Sequence, residues 1–378
     1  MQSGLALSQD FWGGCFFARI GRLKGRDGTE LNRGLVVPMC FSRQGRAKSP
    51  RRSKEIPPLL FSDISLAYRY LINIDSTSTQ RGCRVNREPE RRRISLSGRN
   101  CELGLVDWGG SGPVLLLAHA NGFCADVFGP FVQSLVSDFH VIGYDARGHG
   151  ESDMPAARSA YLWSELIADQ VALVGELKLA YGIDRLGRGV GHSMGASIML
   201  AVAARRPDLF ESIDLIDPII ALPPSERTGY YAGEGQHPMA ERARKRRRSF
   251  QSRVALRAKW EQRGIYAEWD LQALNSLLAY TFRDLPNGEI ELKCDPEVEA
   301  FIYEGGRDLD LFAEVASLTT PARLFHSERG FVPRALAEQL VATNPFLRLE
   351  RLELGHFAPM EAPSTMASLI LHQRPAAF

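Results

Sequence analysis

The sequence predicts an α/β protein built on a doubly wound, mostly parallel sheet, and three observations carry that reading. Pro113-Val114-Leu115-Leu116-Leu117-Ala118 is a continuous apolar run of strand length, which suits a strand buried on both faces. Tyr161–Leu179 has helical spacing instead, through Leu162, Leu166, Leu173 and Leu177. From about residue 91 onward such segments alternate, as they do where helices cross over between parallel strands.

Taken in chain order, residues 1–90 show no sustained period of 3.6 or 2 and carry basic runs such as Arg43–Lys54. A region this basic and this poorly patterned buries too little apolar surface to offset its ordering entropy, so a disordered extension is expected. Three readings of it stay open: a plain extension including residues upstream of the true start, an Arg-rich transit peptide, or a tether for polyanions. Ile94–Leu96 and Cys101–Trp108 then read as a strand pair turning at Gly98-Arg99-Asn100. His140–Tyr144, Leu215-Ile216, Ala322–His326 and Leu347–Leu354 read as further strands, and Ala196–Ala204 as an apolar helix.

Length and charge narrow the class. The 378 residues fit one large domain or two ordinary ones. The net charge of +2 hides an asymmetry: residues 1–100 hold 19 basic and 8 acidic side chains, the rest 27 and 36. An acidic body gives no reason to expect nucleic acid as a partner. No run of about 18 apolar residues exists, so no membrane span is expected. Six scattered cysteines without a close pair fit reduced thiols and a cytoplasmic location, and they lack the spacing of a zinc site. Asp10 and Gly13-Gly14 interrupt the first apolar stretch, which makes a poor secretory signal.

The chemistry is written in Gly191-His192-Ser193-Met194-Gly195, a GxSxG motif between a strand-like segment and an apolar helix. A serine on so sharp a turn has strained backbone that only small neighbours tolerate, and the helix that follows offers free N–H groups to an oxyanion. Three further segments accompany it: His119-Ala120-Asn121-Gly122-Phe123 after the third strand, Asp145–Ser152 after the fourth, and Gly355-His356-Phe357 after the last. In this order and at these intervals, residues 91–378 resemble an α/β-hydrolase. The resemblance implies about eight mostly parallel strands, helices on both faces and a helical lid, placed at about 219–318.

It also implies a site. Ser193 would be the nucleophile and His356 the base that takes its proton and returns it to the leaving group. The acid departs from the usual pattern, since Arg329 or Gly330 stands where an Asp after the seventh strand is expected. Asp217, after the sixth strand in Leu215-Ile216-Asp217-Pro218, is the preferred substitute and Glu328 the alternative. Backbone N–H groups of Asn121 and Met194 would form the oxyanion hole, with the Asn121 side-chain amide as a possible third donor. His192 reads as packing, His119 as a brace and His149 as a turn residue.

The expected function is that of a serine hydrolase acting on a small ester, thioester, lactone or related carbonyl compound. No cofactor or metal is implied, the only expected partner is the small-molecule substrate, and the oligomeric state is not legible. A serine nucleophile argues against epoxide hydrolase and dehalogenase chemistry, which in similar proteins depends on an aspartate at this position. A catalytically weak ligand-binding protein on the same scaffold is the alternative. Within the lid segment, Glu241–Arg248 and the spacing of Phe250, Val254, Ala258 and Trp260 suggest one long helix with a solvated basic face.

Overall fold

The computed structural model describes residues 88–307 and 309–372, together with the backbone of 16–19 and 36–39. Phe16–Arg19 and Val36–Met39 are strands that pair antiparallel. The remainder of the expected extension up to residue 87, with Cys15, Cys40 and Cys83, lies outside the described residues.

Eight strands form the main sheet. They are β1 (Glu90–Ser95), β2 (Glu102–Gly109), β3 (Val114–Ala118), β4 (His140–Tyr144), β5 (Arg188–His192), β6 (Ile213–Ile216), β7 (Ala322–Arg329) and β8 (Leu347–Gly355). Their spatial order is β8-β7-β6-β5-β3-β4-β2-β1. Every pair from β4 across to β8 is parallel, and only the β1–β2 hairpin and its contact with β4 run antiparallel. The carboxyl ends of β3, β5, β6 and β8 therefore lie along one edge of the sheet, where ligands bind in open α/β folds.

The apolar run of β3 is explained by its two packed faces. Leu116 and Ala118 join one core with Leu166 and Leu173 from the helix Trp163–Tyr181 and Met199 from the helix Met194–Arg205. Leu115 and Leu117 join the other, with Phe131, Leu277 and Ile370. Alternate strand residues point to opposite faces, so a strand covered on both sides must be apolar throughout. Cys101, Cys124 and Cys294 are buried free thiols.

A buried charge cluster joins the strands. Asp214 of β6 accepts from Arg323 of β7 at 2.7 and 2.9 Å and from Arg188 of β5 at 3.0 Å. Both guanidinium groups also donate to carbonyls near the end of the helix Pro363–His372, Arg188 to Ile370 at 2.9 Å and Arg323 to Leu369 at 3.1 Å. Two cations share one carboxylate, and the carbonyls at a helix carboxyl end carry partial negative charge that favours the excess cation.

The segment between β6 and β7 departs from expectation in two ways. Besides helices it holds a three-stranded antiparallel sheet of Phe282–Asp284, Ile290–Leu292 and Ser249–Phe250. Its hairpin turns at Asn287-Gly288, where Gly288 has φ +83°, and Phe282, Ile290 and Leu292 face inward. The signal was short, three residues a side, and so escaped a reading tuned to longer strands. The basic run is likewise not one helix. It ends at Arg244, and a second helix, Arg253–Trp260, starts where Ser252 accepts the Ala255 N–H at 3.1 Å. Arg244 pairs with Glu297 and Glu304, Arg246 with Glu299, and Arg248 with Glu291 and Asp295. The paired cations tie the insertion to itself, while Arg242, Lys245, Arg247 and Arg248 are exposed, so the run keeps a solvated side. Among the described residues no helix is long and apolar enough to cross a membrane.

Removing the Asp214 charge leaves two buried guanidinium groups facing each other. Asp214→Asn is expected to destabilise the fold by about 3–5 kcal/mol, read by urea unfolding, and a loss below about 1 kcal/mol would contradict the account of the cluster.

Candidate active site

Ser193 sits between β5 and the helix Met194–Arg205 with φ 56° and ψ −119°. A non-glycine residue at positive φ is held there by its surroundings, at a cost of about 1–3 kcal/mol. The two glycines of the motif make the turn possible. A Cβ on Gly191 would lie 2.5 Å from Ala196 Cα, and one on Gly195 would lie 2.4 Å from the Ala118 carbonyl oxygen of β3. The elbow is pressed so closely against its own helix and the neighbouring strand that no side chain fits at either position.

Three expected residues come together here. His356, in the loop after β8, lies with Nε2 2.9 Å from Ser193 Oγ, and its Nδ1 lies 2.6 Å from Asp217 Oδ2. Because Nδ1 faces a carboxylate it carries the proton, and Nε2 is left to accept from the serine hydroxyl. All three side chains are buried. Asp217 follows β6 in the left-handed region, at φ 43°, a conformation that Asp tolerates better than most residues. Its other oxygen accepts the Ser327 N–H at 3.1 Å, at the bulge where the β7–β8 register shifts. Gly330 leaves the space this carboxylate fills, since a Cβ there would approach Asp217 Oδ2 to 2.5 Å. Glu328 is exposed on β7 and has no contact with His356 among those described. Arg329 pairs instead with Glu268 and Glu361.

Met194 follows the serine directly, and Asn121 lies in the loop after β3, whose end is pressed against Gly195. Met194 is the first residue of its helix, where the N–H has no intrahelical partner. Neither its N–H nor that of Asn121 has a hydrogen-bond partner among the described residues. The Asn121 side chain, the expected third donor, is drawn toward the insertion. Its Nδ2 donates one of its two hydrogens to the Glu299 carbonyl at 3.0 Å, which orients the amide toward the insertion.

Several neighbours were missed or under-read. His192 is more than packing: its Nε2 donates to the carbonyl of His356 at 2.8 Å. Only the folded sheet brings β5 and the β8 loop together, so nothing in the sequence signals this contact. Glu361 accepts the N–H groups of Gly355 at 2.7 Å and Phe357 at 3.3 Å, on either side of His356. With Phe357 at the cap and the acid four residues on, no capping-box pattern marks this bond in the sequence. His119 braces as expected, accepting the Ala146 N–H at 2.9 Å and donating to the Ala120 carbonyl at 2.7 Å. His149 accepts the Gly122 N–H at 2.9 Å and so holds the Asn121 loop from below. Phe331 lies against the His356 ring at 4.6 Å, and Trp269 packs on Phe123 and Phe357 at 5.6 and 5.4 Å. Among the described residues no group of three or more His, Cys, Asp or Glu is placed to hold a metal ion.

Comparison with known proteins fits this geometry. A family model described as the alpha/beta hydrolase fold matches residues 113–279. The chain is 36% identical over 133 residues to a 2-(acetamidomethylene)succinate hydrolase of Mesorhizobium japonicum, covering 35% of this chain and 42% of that protein. It is 34% identical over 136 residues to a type I acyl-CoA thioesterase of Penicillium roqueforti, covering 35% of this chain and 28% of the other. In both cases the match spans less than half of the relative. The crystal structure of an E-2-(acetamidomethylene)succinate hydrolase superposes with TM-score 0.62 at 23% identity, over 75% of this chain and 97% of that one. A thioesterase domain from the curacin biosynthetic pathway gives TM-score 0.61 at 18% identity, over 75% and 99%. At such identities these two structures speak for the fold alone.

The buried histidines make stability depend on pH. Burial lowers His119 to about 4, and His149 and His192 to about 3. Each binds a proton more readily unfolded, so its contribution is complete above about pH 6.5 and declines as pH falls toward the folded value. Burial raises Asp145 to about 6, which acts in the opposite sense over the same interval. For these four groups the balance near pH 5 is a net uptake of about two protons on unfolding, a loss of roughly 3 kcal/mol per pH unit. Asp126 and Glu299, also raised by burial, reduce it, and His237, also lowered, adds to it. Urea unfolding at pH 7, 6 and 5 measures it, and a flat profile would contradict it.

Proposed function

We propose that this chain, which has the α/β-hydrolase fold, is a serine hydrolase cleaving a small ester, thioester, lactone or related carbonyl substrate through an acyl-enzyme. The observation that carries the proposal is the unbroken hydrogen-bonded series Ser193–His356–Asp217, at 2.9 and 2.6 Å, on the carboxyl edge of the sheet. The names of both curated relatives are consistent with it, one acting on an acylated succinate derivative and the other on acyl-CoA thioesters.

In this mechanism Ser193 Oγ bonds to the carbonyl carbon as its proton passes to His356 Nε2. Asp217 holds the ring tautomer and stabilises the imidazolium that forms. The carbonyl oxygen takes up negative charge between the N–H groups of Asn121 and Met194, the latter at a helix amino end where the macrodipole favours an anion. Collapse expels the leaving group, which receives the proton from Nε2. Water then repeats the sequence on the acyl-serine, releasing the acid and restoring the hydroxyl. Every step uses side chains, backbone N–H groups and water. Residues 219–318 act as the lid, with Trp269 bringing apolar surface beside Phe123 and Phe357.

A fluorophosphonate probe is expected to label the wild-type chain on Ser193 and to leave Ser193→Ala unlabelled. Equal labelling of both, or of neither, would sink the proposal in favour of a ligand-binding role. Asp217→Asn is expected to lower kcat for p-nitrophenyl esters by about 10³–10⁴-fold, whereas Glu328→Gln should stay within about threefold of wild type. The reverse order would show the acid to be Glu328.

A further inference from the structure

The loop that carries Asn121 is gripped from two directions, and one of the two grips comes from the insertion. On the body side, the Gly122 N–H donates to His149 Nε2 at 2.9 Å. On the insertion side, Asn121 Nδ2 donates to the main-chain carbonyl of Glu299, in the helix Pro296–Gly305, at 3.0 Å. The Glu299 side chain, itself buried, pairs with Arg246, and the two head groups close over Gly122. Gly122 has φ +81°, and a Cβ there would lie 3.1 Å from Glu299 Oε1 and 3.2 Å from Arg246 Nη1. The peptide linking Asn121 to Gly122 thus has its side chain tied to the insertion and its following N–H tied to the body.

Resting on the serine-hydrolase reading above, we propose that Glu299, with Arg246, is a positioning residue that aims the Asn121 N–H at the oxyanion, so that the hole is complete only when the insertion is docked. Neither residue touches the reacting atoms. Their effect passes through a loop whose N–H must point at the position the oxygen occupies in the tetrahedral state rather than in the ground state. A loose grip would therefore lower the rate of the chemical step while leaving substrate binding nearly intact. The arrangement also gives the insertion a part in catalysis: docking it shuts out water and finishes the hole in one motion.

The test uses the full-length chain and three readouts: steady-state kinetics on p-nitrophenyl butyrate, inhibition by an aliphatic trifluoromethyl ketone, and the thermal midpoint. The ketone adds to Ser193 Oγ to give a tetrahedral oxyanion and so reports on the hole. Glu299→Gln keeps the shape and the main-chain carbonyl but removes the charge that pairs with Arg246. It is expected to lower kcat about 10- to 100-fold with KM changed by less than about threefold, and to weaken ketone inhibition by the same factor as kcat. Asn121→Ala cuts the tie to the Glu299 carbonyl, together with the 3.1 Å contact of Oδ1 with His149 Nε2, while leaving the backbone N–H. At this half-exposed position it is expected to fold normally and to show the same parallel loss in kcat and ketone affinity. If Glu299→Gln does not fold, Asn121→Ala decides the matter alone. Unchanged kcat and ketone inhibition in Asn121→Ala would overturn the proposal, as would a kcat loss without loss of ketone binding. Fluorophosphonate labelling of the wild-type chain separates the two readings: no labelling sinks the hydrolase reading itself, whereas a labelled wild type with insensitive variants sinks only the role of Glu299.

Discussion

The strained turn that carries Ser193 is the constraint on which the rest of the site depends. A serine at φ 56° can persist only where the neighbouring chain leaves it no alternative, and here β3 and the helix after β5 close on Gly191 and Gly195 within 2.4–2.5 Å of where their side chains would be. That tightness places the hydroxyl above the sheet edge, and it points the first N–H of the helix at the same space. The apolar packing of β3 on both faces, with Val190 of β5 joining one of the two cores, supplies the rigidity that holds the strained turn. The oxyanion loop follows directly from β3, so one packed strand supports the serine elbow and leads into the Asn121 donor.

The histidine side of the site is organised by burial. His119, His149 and His192 are held neutral, each with one ring nitrogen engaged as a donor or acceptor to the backbone of a site loop. A neutral imidazole can donate from one nitrogen and accept at the other, so it can lock two strands of backbone together without burying a charge. His356 is held similarly from its main chain, by His192 at its carbonyl and by Glu361 at the N–H groups before and after it. Its ring is left to face Ser193 and Asp217.

Asp217 shows how the chain around a carboxylate makes room for it beside His356. Asp217 reaches His356 from the end of β6 because Gly330, at the end of β7, has no side chain to block the carboxylate, and because the Ser327 N–H, at the bulge in β7, turns to Asp217. Arg329, which stands near the place where an acid would come from β7, pairs with Glu268 of the insertion and Glu361 of the His356 loop. A charge at that position thus joins two segments around the site without entering it.

Local chemistry alone determined the strands, the proposed nucleophile and base, and the order of the segments around them. Continuous apolar runs, a GxSxG between strand and helix, and a Gly-His-Phe after the last strand have meaning within a few residues of themselves. The preference for Asp217 over Glu328 was also legible, from its place just past a strand end. Tertiary structure decided what depends on contacts between distant segments. The bond from the Asn121 amide to Glu299, 178 residues away, has no local signature. Nor does the His192 bond to His356, 164 residues distant, or the pairing of the basic run with acids on other elements of the insertion. The physical reason is the same in each case: hydrogen bonds and ion pairs are satisfied by whatever the fold brings near, whereas turn strain and hydrophobic period are properties of the chain itself.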